Sequence, residues 1–219
     1  MTNRIIHGDC VEVLKTLPTG SVDFVLTDPP YFVNYRDRTG RSLANDGEAD
    51  MEKVLAAFPE IHRVLKLDAL CISFYGWQAI DAFMGAWKSA GFTPVDHIVW
   101  RKEYASSRWY CSRRHEQAFV LAKGRPPRPS QPLDDVRPWT YSGNRAHPTE
   151  KHIDVLKPLI EAFTQPGALV LDPFAGSGST PVAAALARRR YIGIELEAKY
   201  CRHAEKRLNG VARHMARAP

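Results

Sequence analysis

Cysteine is scarce in this chain: Cys10, Cys71, Cys111 and Cys201 are the only four, and no two stand in a CxxC spacing. That scatter excludes a disulfide framework and the common zinc clusters. It suits a reducing cytoplasm, where the protein is expected to work without a metal. Long apolar runs are missing too. No window approaches the roughly 18 consecutive apolar residues of a transmembrane helix, so no membrane partner is expected. The opening residues MTNRIIHGD reach an acid before any apolar stretch of secretory-leader length, which again predicts a cytoplasmic protein.

What is present predicts a folded soluble domain. A hydrophobic content of 44% with both charge signs is too apolar for a disordered chain, and 219 residues suffice for one substantial core. The net charge of +6 is unevenly spread: residues 101–145 hold ten Lys/Arg against four Asp/Glu, which accounts for the whole excess. The same segment carries five of the sixteen prolines and the aromatics Tyr104, Trp109, Tyr110, Trp139 and Tyr141. A basic, aromatic, irregular stretch on a neutral body predicts a surface for a polyanion; the plainer alternative is a solvated loop.

Periodicity predicts alternating strands and helices. RIIHG (4–8), VDFVLT (22–27), ALCISFY (69–75), PVDHIVW (94–100), EQAFVLAKG (116–124), ALVLD (168–172) and YIGIE (191–195) read as strands. VEVLKTL, residues 51–65, 77–91, 151–163, 180–189 and 198–208 read as helices. Pro59 is expected to kink or split the second of these. The stretch 124–139 has too many prolines for regular structure. Such alternation predicts an α/β domain with a largely parallel sheet covered on both faces.

Two loops stand out. In FVLTDPPYF, a buried strand ends abruptly at Asp28-Pro29-Pro30-Tyr31. Two prolines remove backbone donors and stiffen the exit, so this loop is held still; the plainer alternative is a turn that merely stops the strand. In LVLDPFAGSGST, a strand gives way to Gly176 and Gly178 and then to a helix. Such a turn lets backbone approach a ligand and aims helix N–H groups at it. Ser177-Gly178-Ser179 lacks the lysine of a Walker loop, which argues against ATP. Glu195 ends the next strand nineteen residues after Gly176, where an acid is placed to accept ribose hydroxyls. A nucleoside-bearing cofactor follows, and these features fit NAD and S-adenosylmethionine equally.

Together the DPPY and FAGSG motifs, in that order with a basic segment between, resemble the β group of amino-type DNA methyltransferases. GDCVEVL (8–14), VWRK (99–102), HEQAFVLAKG (115–124) and HPTEK (147–151) fall in register with that family, so the likeness runs from about Arg4 to Leu208. His152 departs from it, standing where the family more often has proline. The resemblance implies a single domain over 1–219 with a Rossmann-like, seven-stranded, mostly parallel methyltransferase sheet. Its motif order would be circularly permuted, and residues of about 103–146 would form a target-recognition insert.

The cofactor implied is S-adenosyl-L-methionine. By the same resemblance, Asp9 meets its adenine end, Phe174, Ala175, Gly176, Ser177, Gly178 and Ser179 wrap its methionine portion, and Cys10 and Asp172 are further cofactor contacts. Glu195 holds the ribose, Thr149 and Lys151 meet the carboxylate, and Asp28 borders the methyl group. The implied partner is double-stranded DNA, with a homodimer as one way to embrace the duplex. Arg36, Arg38 and Arg41 after Tyr31, and Arg108, Arg113, Arg114, Arg125 and Arg128 in the insert, are the expected DNA contacts.

The chemistry explains the motif. An exocyclic base amine is a poor nucleophile because its lone pair is delocalised into the ring. The Asp28 carboxylate and Pro29 carbonyl can each accept one amino hydrogen, with Pro30 keeping them rigid and Tyr31 offering a stacking face. Carbon-5 methylation of cytosine would need a Pro-Cys nucleophile, and no Pro-Cys dipeptide occurs. N6 of adenine is the expected target, since serine is commoner at position 28 for N4 of cytosine, the main rival. Protein-glutamine or RNA methylation and a catalytically silent DNA-binding module are weaker alternatives.

Overall fold

The computed structural model describes residues 3–36, 40, 42, 44–143 and 149–216; Arg38 and Arg41 lie outside the described residues. Eight strands form one sheet: β1 (Arg4–His7), β2 (Val22–Thr27), β3 (Leu65–Phe74), β4 (Thr93–Arg101), β5 (His115–Lys123), β6 (Val136–Pro138), β7 (Leu169–Asp172) and β8 (Arg190–Glu195). Their spatial order is β1-β8-β7-β2-β3-β5-β4-β6. All neighbours run parallel except β5, which is antiparallel to both β3 and β4.

The central strands are apolar on both sides because helices cover both sides. Val22 and Val25 of β2 pack with α1 (Cys10–Lys15), α3 (Ala57–Val64) and α4 (Ile80–Ser89) through Leu14, Phe58, Ile61, Phe83 and Trp87. Phe24 and Leu26 face the other way, onto Leu156, Leu159 and Ile160 of α5 (Ile153–Phe163) and Ala183 and Ala184 of α6 (Ser179–Leu186). Helix α7 (Ala198–Met215) packs on α6 and β1, burying Tyr200, Ala204 and Leu208 along the expected stripe.

One expectation is met with its break displaced, and one changes. The helix over 51–65 is split into α2 (Met51–Leu55) and α3, with the break at Ala56 rather than at Pro59 itself. Pro59 has no N–H for the carbonyl of Leu55 and its ring crowds that carbonyl, so the helix must end one turn upstream. Seven strands were implied and eight are found. The extra one, β6, lies within the proline-rich stretch read as irregular, pairing Val136–Pro138 with Val99–Arg101. As an edge strand it tolerates Pro138, whose missing donor faces no neighbour.

His152, the departure from the family pattern, caps α5: its Nδ1 accepts the Asp154 N–H at 3.2 Å. No helix among the described residues is long and apolar enough to cross a membrane.

Gly178 caps α6 at φ +82°, and a Cβ there would sit 2.6 Å from the Ala204 Cβ of α7. Its glycine identity is therefore demanded by helix packing and backbone conformation. Gly178→Ala is expected to cost about 2–4 kcal/mol in urea unfolding. A double-mutant cycle with Ala204→Gly should show coupling of about 1–2 kcal/mol, and strict additivity would refute the packing account.

Candidate active site

The parallel strands β1, β8, β7 and β2 all point their carboxyl ends to one edge of the sheet, and the motif loops leave from there. Helices α3 and α6, which follow β2 and β7, cover opposite faces. The crevice between β2 and β7 is therefore the switch point at which such sheets bind ligands. An open cleft of about 860 Å³, including its solvent-filled mouth, occupies it.

Asp28 follows the end of β2. Its Oδ1 accepts the Tyr31 hydroxyl at 2.6 Å, and its Oδ2 is ion-paired with the Lys151 ammonium. Lys151 is only 7% exposed; its Nζ stands 3.4 Å from the Tyr31 hydroxyl and 4.8 Å from the Phe74 ring centroid. Burial, and then the adjacent Asp28 charge, hold the Tyr31 phenol well above its usual range, so it remains a donor. Gly76, just beyond β3, makes room for this loop: a Cβ there would lie 2.8 Å from the Tyr31 Cβ.

Of the predicted cofactor residues, Asp9, Cys10, Asp28, Thr149, Lys151, Phe174, Gly176 and Glu195 line the cleft, together with Pro29, Pro30 and Tyr31. Asp172, Ala175, Ser177 and Ser179 line a smaller adjoining cavity of about 420 Å³ that shares Asp28, Lys151 and Gly176 with it. Gly178 lines neither, consistent with its packing role. Lys151 sits on Asp28 in this structure, not at a free position.

Glu195 ties the two ends of its site together: Oε2 accepts the Gly176 N–H at 2.8 Å and Oε1 the Glu197 N–H at 2.7 Å. Burial raises its pKa, and these bonds oppose the shift. Asp9 caps α1, its Oδ1 accepting the Val11 and Glu12 N–H groups at 2.9 and 3.2 Å. Burial pushes the Cys10 thiol up to about 12, leaving it neutral and unreactive.

These residues have the chemistry to hold S-adenosylmethionine. Glu195 has acceptor sites beyond the two used by backbone, enough for hydroxyls. The neutral Cys10, Phe174 and Ile194 supply apolar wall, and Asp28 supplies negative charge suited to a cation.

Several contributors were not singled out as site residues by the sequence. Arg207 of α7 donates to the Ser177 carbonyl at 2.9 Å and to the Ser179 hydroxyl at 3.2 Å while pairing with Glu150 at 2.9 Å. It thus links the glycine loop to the residue before Lys151. Lys102, nearly buried, is ion-paired with Glu116 beneath the Trp139 and Tyr104 rings. Both stand in segments that match the family, VWRK (99–102) and HEQAFVLAKG (115–124), but only the fold reveals their pairing.

The basic segment divides. Residues 102–114 project as a hairpin beyond β4 and β5 at the catalytic edge, held by Lys102 N–H to the Arg114 carbonyl at 2.7 Å and Ser106 N–H to the Arg113 carbonyl at 2.9 Å. Arg108 and Arg114 are exposed there, with Trp109 and Tyr110 at 78% and 94% exposure, and Arg113 covers the Trp77 ring. Arg36 is exposed beside the Tyr31 loop. Arg125 and Arg128 fall elsewhere. Strand β5 runs antiparallel and delivers them to the opposite edge, where the Arg125 N–H meets Asp68 at 2.7 Å and Arg128 lines a surface hollow with Asp23 and Ala168. Their grouping with the hairpin arginines is not kept.

This fold and cleft define an S-adenosylmethionine-dependent methyltransferase. The comparisons agree: residues 22–206 match the DNA methylase family. The chain is 57% identical over 213 residues to YubD of Escherichia coli (strain K12), covering 97% of this chain and 93% of that protein. It is 29% identical over 250 residues to the DNA adenine methyltransferase YhdJ of the same organism, covering 96% and 83%. The crystal structure of the M1.HpyAVI–SAM complex superposes with a TM-score of 0.73 at 25% identity, covering 94% of this chain and 98% of that one. The chain belongs to the DNA methylase family that modifies N6 or N4 amino groups.

Asp172 offers a test of the buried electrostatics. Burial raises its carboxyl from 3.8 to about 7, against the Thr180 hydroxyl and the Phe174 N–H at 3.1 Å; the Asp28 charge raises it further. The native state holds this proton more tightly than the unfolded chain does. The group's contribution to stability is therefore fully present below about 4, is lost as pH rises towards 7, and is constant above that. Asp172→Asn should thus gain stability relative to the parent by roughly a few kcal/mol between pH 4.5 and pH 8. Urea unfolding at both pH values checks it, and a pH-independent difference would contradict the assignment.

Proposed function

We propose that this DNA methyltransferase moves a methyl group from S-adenosylmethionine to N6 of adenine within a specific short site in double-stranded DNA. The observation that carries the reading is the Asp28 carboxylate at the rim of the cleft, fixed by the Tyr31 hydroxyl and Lys151 and followed by two prolines.

The bound cofactor supplies a methyl group on a sulfonium, a leaving group that needs no metal or covalent intermediate. The chain's own residues prepare the amine. Asp28 and the Pro29 carbonyl each accept one amino hydrogen, which turns the nitrogen lone pair out of the ring and toward the methyl carbon. With the cofactor bound, the amine would take its methyl group while the S–C bonding pair stayed on the departing thioether sulfur, and the extra proton on nitrogen would pass to solvent. Tyr31 gives the base a stacking surface. Lys151 and the Tyr31 hydroxyl hold the two Asp28 oxygens in place, and one of those oxygens must exchange a partner for the amine.

An amine inside a duplex cannot reach this rim, so the base is rotated out of the stack. The hairpin 102–114, with Arg108, Arg113 and Arg114, and Arg36 beside the loop support a DNA path along the catalytic edge. Such contacts place phosphates and read guanine edges.

Asp28→Ala should bind cofactor within about threefold of the parent and lose transfer by at least roughly 10²–10³-fold. Unchanged turnover would remove Asp28 from the mechanism. Nucleoside digestion of DNA methylated with labelled cofactor identifies the base. Recovery of N4-methylcytosine alone would overturn the adenine assignment and favour the rival on the same scaffold.

A further inference from the structure

Asp46 is a carboxylate only 3% exposed, fifteen residues beyond Tyr31, and no motif includes it. Its Oδ1 accepts two successive backbone N–H groups, those of Tyr31 at 2.9 Å and Phe32 at 2.8 Å. Its Oδ2 accepts the Tyr35 N–H at 2.7 Å, and its own carbonyl accepts the Asn34 N–H at 2.9 Å. Four backbone donors of the segment leaving the DPPY motif therefore end on one residue. Convergent N–H groups of this kind form a concave anion site, here filled from within the chain.

The conformation that Asp46 holds is not one the segment would adopt unaided. Phe32 and Asn34 both have positive φ, +62° and +50°, as does Asn45 at +56°. For a bulky residue such as Phe32 this is a strained outlier region. Its ring is buried against Phe83, with centroids 5.4 Å apart, so packing and the Asp46 bonds together over-determine the strained turn. The held turn fixes Tyr31, whose hydroxyl in turn fixes the Asp28 carboxylate. Asp46 itself, with Ala44 and Asn45, walls the cofactor cleft.

We infer that Asp46 is a positioning residue for methyl transfer: its carboxylate gathers the Tyr31, Phe32 and Tyr35 N–H groups and thereby sets the amine-accepting geometry of Asp28 beside the cofactor cleft. This rests on the function proposed above and adds a residue outside both motifs. Asp46→Asn is the sharpest variant. It is isosteric but replaces one acceptor oxygen with an NH₂ group that confronts N–H donors. With saturating DNA and cofactor, its single-turnover transfer rate should fall about 10²-fold, the scale of a small misplacement of reacting groups. The KM for DNA should stay within about threefold, and the cofactor Kd should rise about tenfold. Asp46→Ala should lose at least as much, and should it fail to fold, Asp46→Asn carries the test.

A transfer rate within about twofold of the parent overturns the inference. So does a weakened cofactor Kd with an unchanged rate, which would leave Asp46 as cleft wall alone. Should the parent chain methylate neither base, the reading of the site fails. Asp46 is then judged on cofactor affinity in the folded variant, where an unchanged Kd refutes it.

Discussion

The site depends on one short stretch of parallel pairing. Strand β2 meets β7 through Phe24 opposite Val170 and Val25 opposite Leu171, although more than 140 residues separate them in the chain. Asp23 pins the register, its Oδ2 accepting the Leu169 N–H at 2.7 Å while Oδ1 pairs with Lys66 at 2.5 Å. A polar side chain at the start of an otherwise apolar strand thus decides which residues stand side by side at its far end. A slip of one residue would turn Phe24 and Leu26 to the wrong helix layer, so the apolar pattern enforces the same register. With it set, the DPPY loop and the glycine loop leave the sheet as neighbours.

Of the carboxylates around this crevice, Asp28, Glu195 and Asp172 are each accommodated differently. Asp28 is balanced by Lys151 and the Tyr31 hydroxyl, Glu195 by backbone N–H groups, and Asp172 by retaining its proton near neutrality. Removing the first balance would leave a charge facing two other acids in a partly desolvated space, where repulsion is strong. The same arrangement suits a cationic sulfonium, since the cleft keeps negative character without a single unpartnered acid at its rim. Arg207 supports it from behind by bridging the glycine loop to Glu150, next to Lys151.

Most strands and the two motif loops were legible because period and motif are local. A run such as VDFVLT announces a doubly buried strand, and Asp-Pro-Pro-Tyr announces a stiff exit. What escaped was set by partners distant in sequence. Asp46 looks like any loop acid until its three backbone donors are seen, and Gly76 like any turn glycine until Tyr31 is against it. Gly178 was legible as special from its motif, but the contact that excludes a Cβ there, Ala204 of α7, was not. Strand β6 was hidden by proline content, because an edge position relaxes the rule that proline excludes strand.

The misplacement of Arg125 and Arg128 shows how topology sorts a basic segment that composition treats as one. Strand β4 runs parallel to β3 and ends at the catalytic edge; the chain turns there through 102–114 and returns along β5. Whatever follows β5 must emerge at the far edge, and 124–133 does so. Strand β6 then carries the chain back, parallel to β4, so that Trp139 and Tyr141 rejoin Tyr104 at the catalytic edge, the Tyr104 and Tyr141 rings 5.6 Å apart. Alternate crossings of the sheet divide the insert into a part beside the cleft and a part behind it. The local excess of positive charge is therefore shared between two edges of the sheet, and only the first part lies beside the cleft.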